Sequence, residues 1–152
     1  MKIILDGMGG DNAPFSVVEG AVLASRQTQH HICIIGQEEL IIPELKKYKY
    51  ESEKISVINA TQVISNDDAP VRAVRSKKDS SIVKGINMVK NGEGDIFISA
   101  GSTGALLAGG LFILGRIQGI DRPALASVYP IVGGIPSLLV DAGANADCKP
   151  NN

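Results

Sequence analysis

The sequence predicts an α/β fold: a largely parallel sheet covered on both faces by helices. Two observations carry this expectation. Short apolar runs such as Lys2-Ile3-Ile4-Leu5 and His31-Ile32-Cys33-Ile34-Ile35 are nearly continuous rather than alternating, the pattern of strands buried on both faces. Between the runs stand segments whose apolar residues recur with a helical period, so strand and helix alternate along the chain. The 152 residues fit one α/β domain spanning 1–152, long enough to bury roughly two thirds of its unfolded surface. No linker, internal repeat or low-complexity segment interrupts it.

The first strand ends in Asp6-Gly7-Met8-Gly9-Gly10-Asp11. Pro14 then suits the first turn of a helix whose apolar face is Val17, Val18, Ala21 and Val22. The second strand stops at Gly36, and 38–47 predicts a helix interrupted by Pro43. Ile55-Ser56-Val57-Ile58 is a third strand. Asp67-Asp68-Ala69-Pro70 reads as a cap followed by proline at a helix start, and the short helix after it carries Arg72, Arg75 and Lys78 at three-residue steps. Asp79-Ser80 can cap the next helix, marked by Ile82, Val83, Ile86 and Val89 and ended by Asn91-Gly92. Asp95-Ile96-Phe97-Ile98-Ser99 is a strand, and 105–114 is the helix after a glycine turn. Residues 125–132 and 137–141 are expected to be two strands joined by Gly133-Gly134-Ile135-Pro136.

Composition narrows the function classes. Fifteen Lys and Arg face 16 Asp and Glu for a net charge of −1, which removes the broad positive field of a nucleic-acid or polybasic membrane binder. With 4% aromatics and no Trp, a base-stacking platform is not expected either. Residues 96–115 are uncharged and long enough to cross a bilayer, but five glycines and the polar Ser99, Ser102 and Thr103 fit a strand, a tight loop and a buried helix better. Cys33 and Cys148 lie far apart without CxxC or HxxxH spacing, so neither a disulfide framework nor a metal site is expected. Reduced thiols in a cytoplasmic protein follow, with no secretory leader ahead of the first strand.

The small and polar residues gather where predicted strands end, which is where open parallel sheets bind ligands. Three loops share this character: Asp6-Gly7-Met8-Gly9-Gly10-Asp11, Ser99-Ala100-Gly101-Ser102-Thr103-Gly104 and Asp141-Ala142-Gly143-Ala144-Asn145. In the second, glycines let backbone approach a ligand, and the helix that follows offers free N–H groups to a phosphate or an oxyanion. A tight strand-to-helix turn with no ligand would use the same glycines. Ala105 follows Gly104, so this is no GxxxxGK loop, and Asn12 leaves Gly7-x-Gly9 short of GxGxxG. Asp6 and Asp141 each close an apolar strand, where a carboxylate needs a partner. Arg72, Arg75, Lys77 and Lys78 form the densest basic group, suited to a phosphate-rich ligand, an acidic partner protein or plain solvation.

These segments, with Asp68-Ala69-Pro70-Val71-Arg72-Ala73-Val74-Arg75 and Gly119-Ile120-Asp121-Arg122-Pro123-Ala124 between them, resemble in order the bacterial phosphate acyltransferases of phospholipid synthesis. The resemblance runs from Met1 to Pro150, with Gly7 where alanine is common and Ser102 where asparagine is expected. It implies a three-layer α/β/α sandwich related to the isocitrate and isopropylmalate dehydrogenases and to phosphotransacetylases, incomplete here because family members run roughly twice as far. It also implies acyl transfer from acyl-acyl carrier protein to inorganic phosphate, giving acyl phosphate, in a cytoplasmic homodimer. The family associates peripherally with the membrane and hands its product to a glycerol-3-phosphate acyltransferase. No metal, nucleotide or other cofactor is required.

On this reading the candidate catalytic positions are Ser102, Thr103, Gly104, Asp141 and Asn145. Candidate phosphate- or substrate-binding positions are Asp6, Gly9, Gly10, Asp11, Arg72, Arg75, Lys78, Gly101 and Arg122. Two alternatives stay open: a truncated, non-catalytic fragment of such an enzyme, and a dinucleotide-dependent dehydrogenase of related fold. The second lacks a complete dinucleotide loop.

Overall fold

A computed structural model describes residues 1–120 and 123–141. The chain divides into two compact units, the first spanning Met1–Leu114 and the second starting at Gly115.

In the first unit, β1 (Lys2–Asp6), β2 (His31–Gly36), β3 (Ile55–Asn59) and β4 (Ile96–Ile98) form one sheet in the order β3-β2-β1-β4. Every pairing is parallel, with Ile4 opposite Cys33 and Phe97 and Leu5 opposite Ile34 and Ile98. The helices are α1 (Phe15–Gln27), α2 (Glu38–Leu45), α3 (Pro70–Ser76), α4 (Ser81–Lys90) and α5 (Thr103–Gly109), the last running on as a π-helical segment, Gly110–Leu114.

Side-chain alternation along the strands explains the near-continuous apolar runs. Ile32 and Ile34 pack under α1 and α2 with Val18, Ala21, Val22, Ile41 and Leu45. Ile4, Cys33 and Ile35 point to the opposite face and meet Ala60 and Met88 of α4. Helices therefore lie on both faces, giving a three-layer α/β sandwich on a parallel sheet, although at edge strand β4 Ile96 and Ile98 stay exposed. A further cluster built from Val74, Ile82, Val83, Ile86, Ala105 and Ala108 binds α3, α4 and α5 together.

The topology has one decisive feature. The chain steps outward from β1 to β2 to β3, then returns to place β4 on the other side of β1. The reversal opens a crevice at the carboxyl ends of β1 and β4, the switch point at which such sheets bind ligands.

Several local expectations are corrected. Pro14 is the residue before α1, not part of its first turn. Pro43 lies inside α2, which ends at Leu45 rather than at 47; proline supplies no N–H to the carbonyl of Glu39. Asp67 and Asp68 do not cap α3, whose N-cap is Ala69 with no side-chain bond. The Asp68 carboxylate instead accepts from Ser65 N at 2.8 Å and from Lys77 Nζ at 2.6 Å, ending its capping role in favour of a loop closure. Lys77 first, and the Ser65 amide second, hold this carboxyl below its ordinary range. The next helix begins as expected, with Ser80 Oγ accepting from Val83 N at 3.3 Å, and it closes at Asn91 with Gly92 at φ +74°.

Asp79 ties the loop after β3 to the start of α4. Its carboxylate pairs with Lys84 and accepts from Thr61 N at 2.8 Å and Thr61 Oγ1 at 2.6 Å. Lys84 and then Thr61 hold its pKa well below the usual carboxylate range. An aspartate whose folded pKa is depressed contributes stability that is full above its unfolded pKa of about 4 and is lost as the pH falls. Asp79→Asn is therefore expected to lower the urea midpoint at pH 7, with the gap to the unmodified chain narrowing progressively below about pH 4. A gap of constant size across that range would contradict the assignment.

The second unit contains β5 (Ala126–Tyr129) and β6 (Ser137–Val140), paired antiparallel with Ala126 opposite Val140. The two expected strands are present but shorter, and every position in both is exposed. Among the described residues no helix is long and apolar enough to cross a membrane; residues 96–114 form a strand, a loop and a helix, but the helix is buried only in its α-helical part, since the π-helical segment Gly110–Leu114 buries no residue.

Candidate active site

Pairing of β1 with β4 sets the loop after Asp6 against the loop after Ile98. Asp6 is only 1% exposed, so its carboxylate needs hydrogen bonds in place of water. Its Oδ1 accepts from Met8 N at 3.0 Å, and its Oδ2 accepts from Ser99 Oγ at 2.6 Å. Ser99 Oγ accepts in turn from Gly101 N at 3.0 Å. One buried carboxylate thus fixes the first bend of its own loop and, through a hydroxyl, the backbone of the other.

Two glycines make that apposition possible. A Cβ on Gly9 would lie 2.7 Å from Asp6 Oδ2 and from Gly101 N, and 2.9 Å from Ser99 Oγ. A Cβ on Gly101 would lie 3.3 Å from Gly9 Cα. Only hydrogen fits between the loops. Gly10 beside them sits at φ +103°, a conformation that glycine adopts without cost.

The start of α5 borders this contact. Ser102 is buried, and its Oγ accepts from Ala105 N at 3.3 Å, capping the helix. Its hydroxyl is thereby engaged in structure. The amides of Thr103 and Gly104, in the first turn, have no carbonyl four residues back within the helix to bond. Gly104 is helical, not left-handed; its missing side chain makes room for Pro70, whose Cγ would lie 2.7 Å from an added Cβ. The sequence alone offers ligand approach or a tight strand-to-helix turn as reasons for glycine here, and the structure supplies a third: close packing of α3 on α5.

Asp6, Gly9, Gly10 and Gly101 are thus brought together, with Ser102, Thr103 and Gly104 adjoining them. Asp11 is exposed on the same loop as Gly9. Arg72 and Arg75 are exposed on α3, and Lys78 lies just past its end, with Nζ donating to Val74 O at 3.3 Å. The Arg75 guanidinium sits 5.4 Å from the Phe112 ring centroid. Asp141 belongs to the second unit, following β6 with φ +62° and its N–H donating to Leu125 O at 2.6 Å. Arg122 and Asn145 lie outside the described residues, as does Cys148. Among the described residues, no group of three or more His, Cys, Asp or Glu could hold a metal ion.

Sequence reasoning missed two participants. Ser99 was legible as a polar residue ending a strand, but its role depends on β4 lying beside β1. In the sequence Pro70 marks a helix start only. No local pattern announces its contact with Gly104.

Comparison with known proteins gives a consistent result. A family model described as fatty acid synthesis protein matches residues 1–152. The phosphate acyltransferase of Clostridioides difficile (strain 630) is 55% identical over 152 residues, covering 100% of this chain and 45% of that protein. The phosphate acyltransferase of Alkaliphilus oremlandii (strain OhILAs) is 59% identical over the same length, again covering 45% of its own. The chain therefore spans about half the length of the curated relatives it matches. The crystal structure of a phosphotransacetylase from Streptococcus pyogenes is similar in fold, with a TM-score of 0.66 at 24% identity over 97% of this chain and 48% of that one.

Proposed function

The chain belongs to the fatty acid synthesis protein family, and from that premise we propose that it carries the phosphate-positioning loops of an acyltransferase. The reaction moves a fatty acyl group from the thioester of acyl carrier protein to inorganic phosphate. The observation that supports this most is the Asp6–Ser99–Gly101 relay at the β1/β4 switch point. It holds the Gly101 backbone in place just ahead of the first turn of α5, at the edge where α/β sheets receive anionic ligands.

The chemistry asks for position and charge more than for proton transfer. A phosphate oxygen, already anionic at neutral pH, attacks the thioester carbonyl carbon. A tetrahedral oxyanion forms, and the C–S bond then breaks, the phosphopantetheine sulfur leaving with the bonding pair. The Thr103 and Gly104 amides donate to phosphate or to that oxyanion, with pre-set donors needing no rearrangement as charge develops. Asp6 acts as a positioning residue through Ser99, and Asp11 on the same loop orients further donors. The acyl phosphate product passes to a glycerol-3-phosphate acyltransferase, and the enzyme is a cytoplasmic homodimer with peripheral membrane contact.

The test is acyl phosphate formation from acyl-acyl carrier protein and inorganic phosphate, using this chain completed by the remaining part of the Clostridioides difficile relative. Phosphate-dependent product supports the reading. Acyl release only to water, independent of phosphate, overturns it.

A further inference from the structure

The exposed side of α3 carries cations that the strand-end site does not use. Ion pairs among the described residues engage Lys47, Lys54, Lys77 and Lys84. Arg72, Arg75 and Lys78 take part in none of them, although the chain as a whole has a net charge of −1. Arg72 and Arg75, three residues apart on α3, are separated by about 4.5 Å along the helix axis, and Lys78 follows just past the helix end. Apolar surface lies among them: Val71 is 43% exposed and Phe112 is 51% exposed, with the Arg75 guanidinium over the Phe112 ring. The face is a shallow, open hollow of about 600 Å³, lined by Ala69, Pro70, Val71, Arg72, Arg75 and Ser76.

This arrangement does not suit a small anion. A bound phosphate needs donors that converge, whereas Arg75 is stacked on a ring and Lys78 is turned to the Val74 carbonyl. Unneutralised cations spread around exposed apolar groups instead match an acidic protein surface with apolar contacts of its own. The placement adds a direction. Pro70, the first residue of α3, packs on Gly104 of the α5 turn, so a partner seated on α3 stands beside the loop proposed to hold the reacting groups.

We infer that this face of α3, through Arg72, Arg75 and Lys78, docks the acidic protein that carries the acyl thioester; the inference rests on the acyl-transfer reading above. Docking is electrostatic at its rim and apolar at Val71 and Phe112, and it presents the carrier's flexible arm to the β1/β4 crevice.

The experiment measures binding of fluorescently labelled acyl carrier protein to the 152-residue chain by anisotropy, at about 50 mM and about 200 mM salt. The unmodified chain is expected to bind, more weakly at the higher salt. Arg72→Glu combined with Arg75→Glu is expected to weaken binding about tenfold or more, with Lys78→Glu weakening it further and Lys90→Glu on α4 leaving it unchanged. Arg72→Gln with Arg75→Gln should fall between, and circular dichroism should match throughout because these side chains are exposed. Inorganic phosphate and phosphatidylglycerol vesicles serve as competing probes. No carrier binding by the unmodified chain overturns the inference, as does equal affinity in the charge-reversed chain. So does a loss of phosphate or vesicle binding in that variant with carrier binding intact. Carrier docking lost on charge reversal, with no acyl phosphate formed by the completed protein, would uphold the surface and sink the proposed reaction. Turnover with an unchanged KM for the carrier would do the reverse.

Discussion

Gly104→Val is expected to destabilise the fold and to reduce acyl transfer in the completed protein by about 10² to 10³. The cause is the proximity of α3. A Cβ at position 104 would lie 2.7 Å from Pro70 Cγ and 3.3 Å from Pro70 Cβ, and the proline ring cannot rotate away as a flexible side chain would. Either α3 moves or the first turn of α5 unwinds. Overpacking of this kind costs about 1–3 kcal/mol, and either response displaces the Thr103 and Gly104 amides. Gly104→Ala should show the same two effects in weaker form. Urea denaturation and acyl phosphate production, measured on the same samples, check this. A Val variant of ordinary stability would remove the packing argument, and one with ordinary turnover would remove these amides from the reaction.

Asp6→Ala should have the second large effect. It strips the acceptor from the Met8 amide and the Ser99 hydroxyl, inside a site where Asp6 itself is 1% exposed. A buried polar group left without its partner costs about 1–3 kcal/mol, so a loss near about 3 kcal/mol is expected for two such groups. Ser99→Ala alone should cost less, since Asp6 keeps its bond to Met8. The double variant should cost less than the sum of the two, because the residues share one interaction. Strict additivity in denaturant unfolding would show that the relay has no energetic meaning. For activity, both variants release the Gly101 backbone, and misplacement of reacting groups by about 1 Å can cost 10²-fold.

What the sequence made legible follows from how local each signal is. The strands starting at Lys2, His31, Ile55 and Ile96, and the helix capped by Ser80, are set by short-range periodicity and capping, and their positions are close to expectation. Asp68 shows the limit. As a residue before a helix-starting proline it resembles a cap, but Lys77, nine positions later, draws its carboxylate elsewhere. The site shows the same limit on a larger scale. Each glycine loop was visible as a loop, yet the contact of Gly9 with Gly101 exists only because β4 inserts beside β1. Strand order is a property of the whole sheet, and no local pattern in either loop encodes it. The three cations near α3 were legible as a group; their exposure, and their lack of ion pairs among the described residues, needed the fold.

A relay of Asp6, Ser99 and Gly101 that positions phosphate for attack on an acyl thioester, as proposed here, is tested by the rate of acyl phosphate formation against phosphate concentration, in the completed protein and in its Ser99→Ala variant. The unmodified protein is expected to saturate with phosphate, and the variant to show a rate reduced about 10²-fold with the secondary structure retained. Equal rates and equal phosphate saturation in the two proteins would contradict the relay's role.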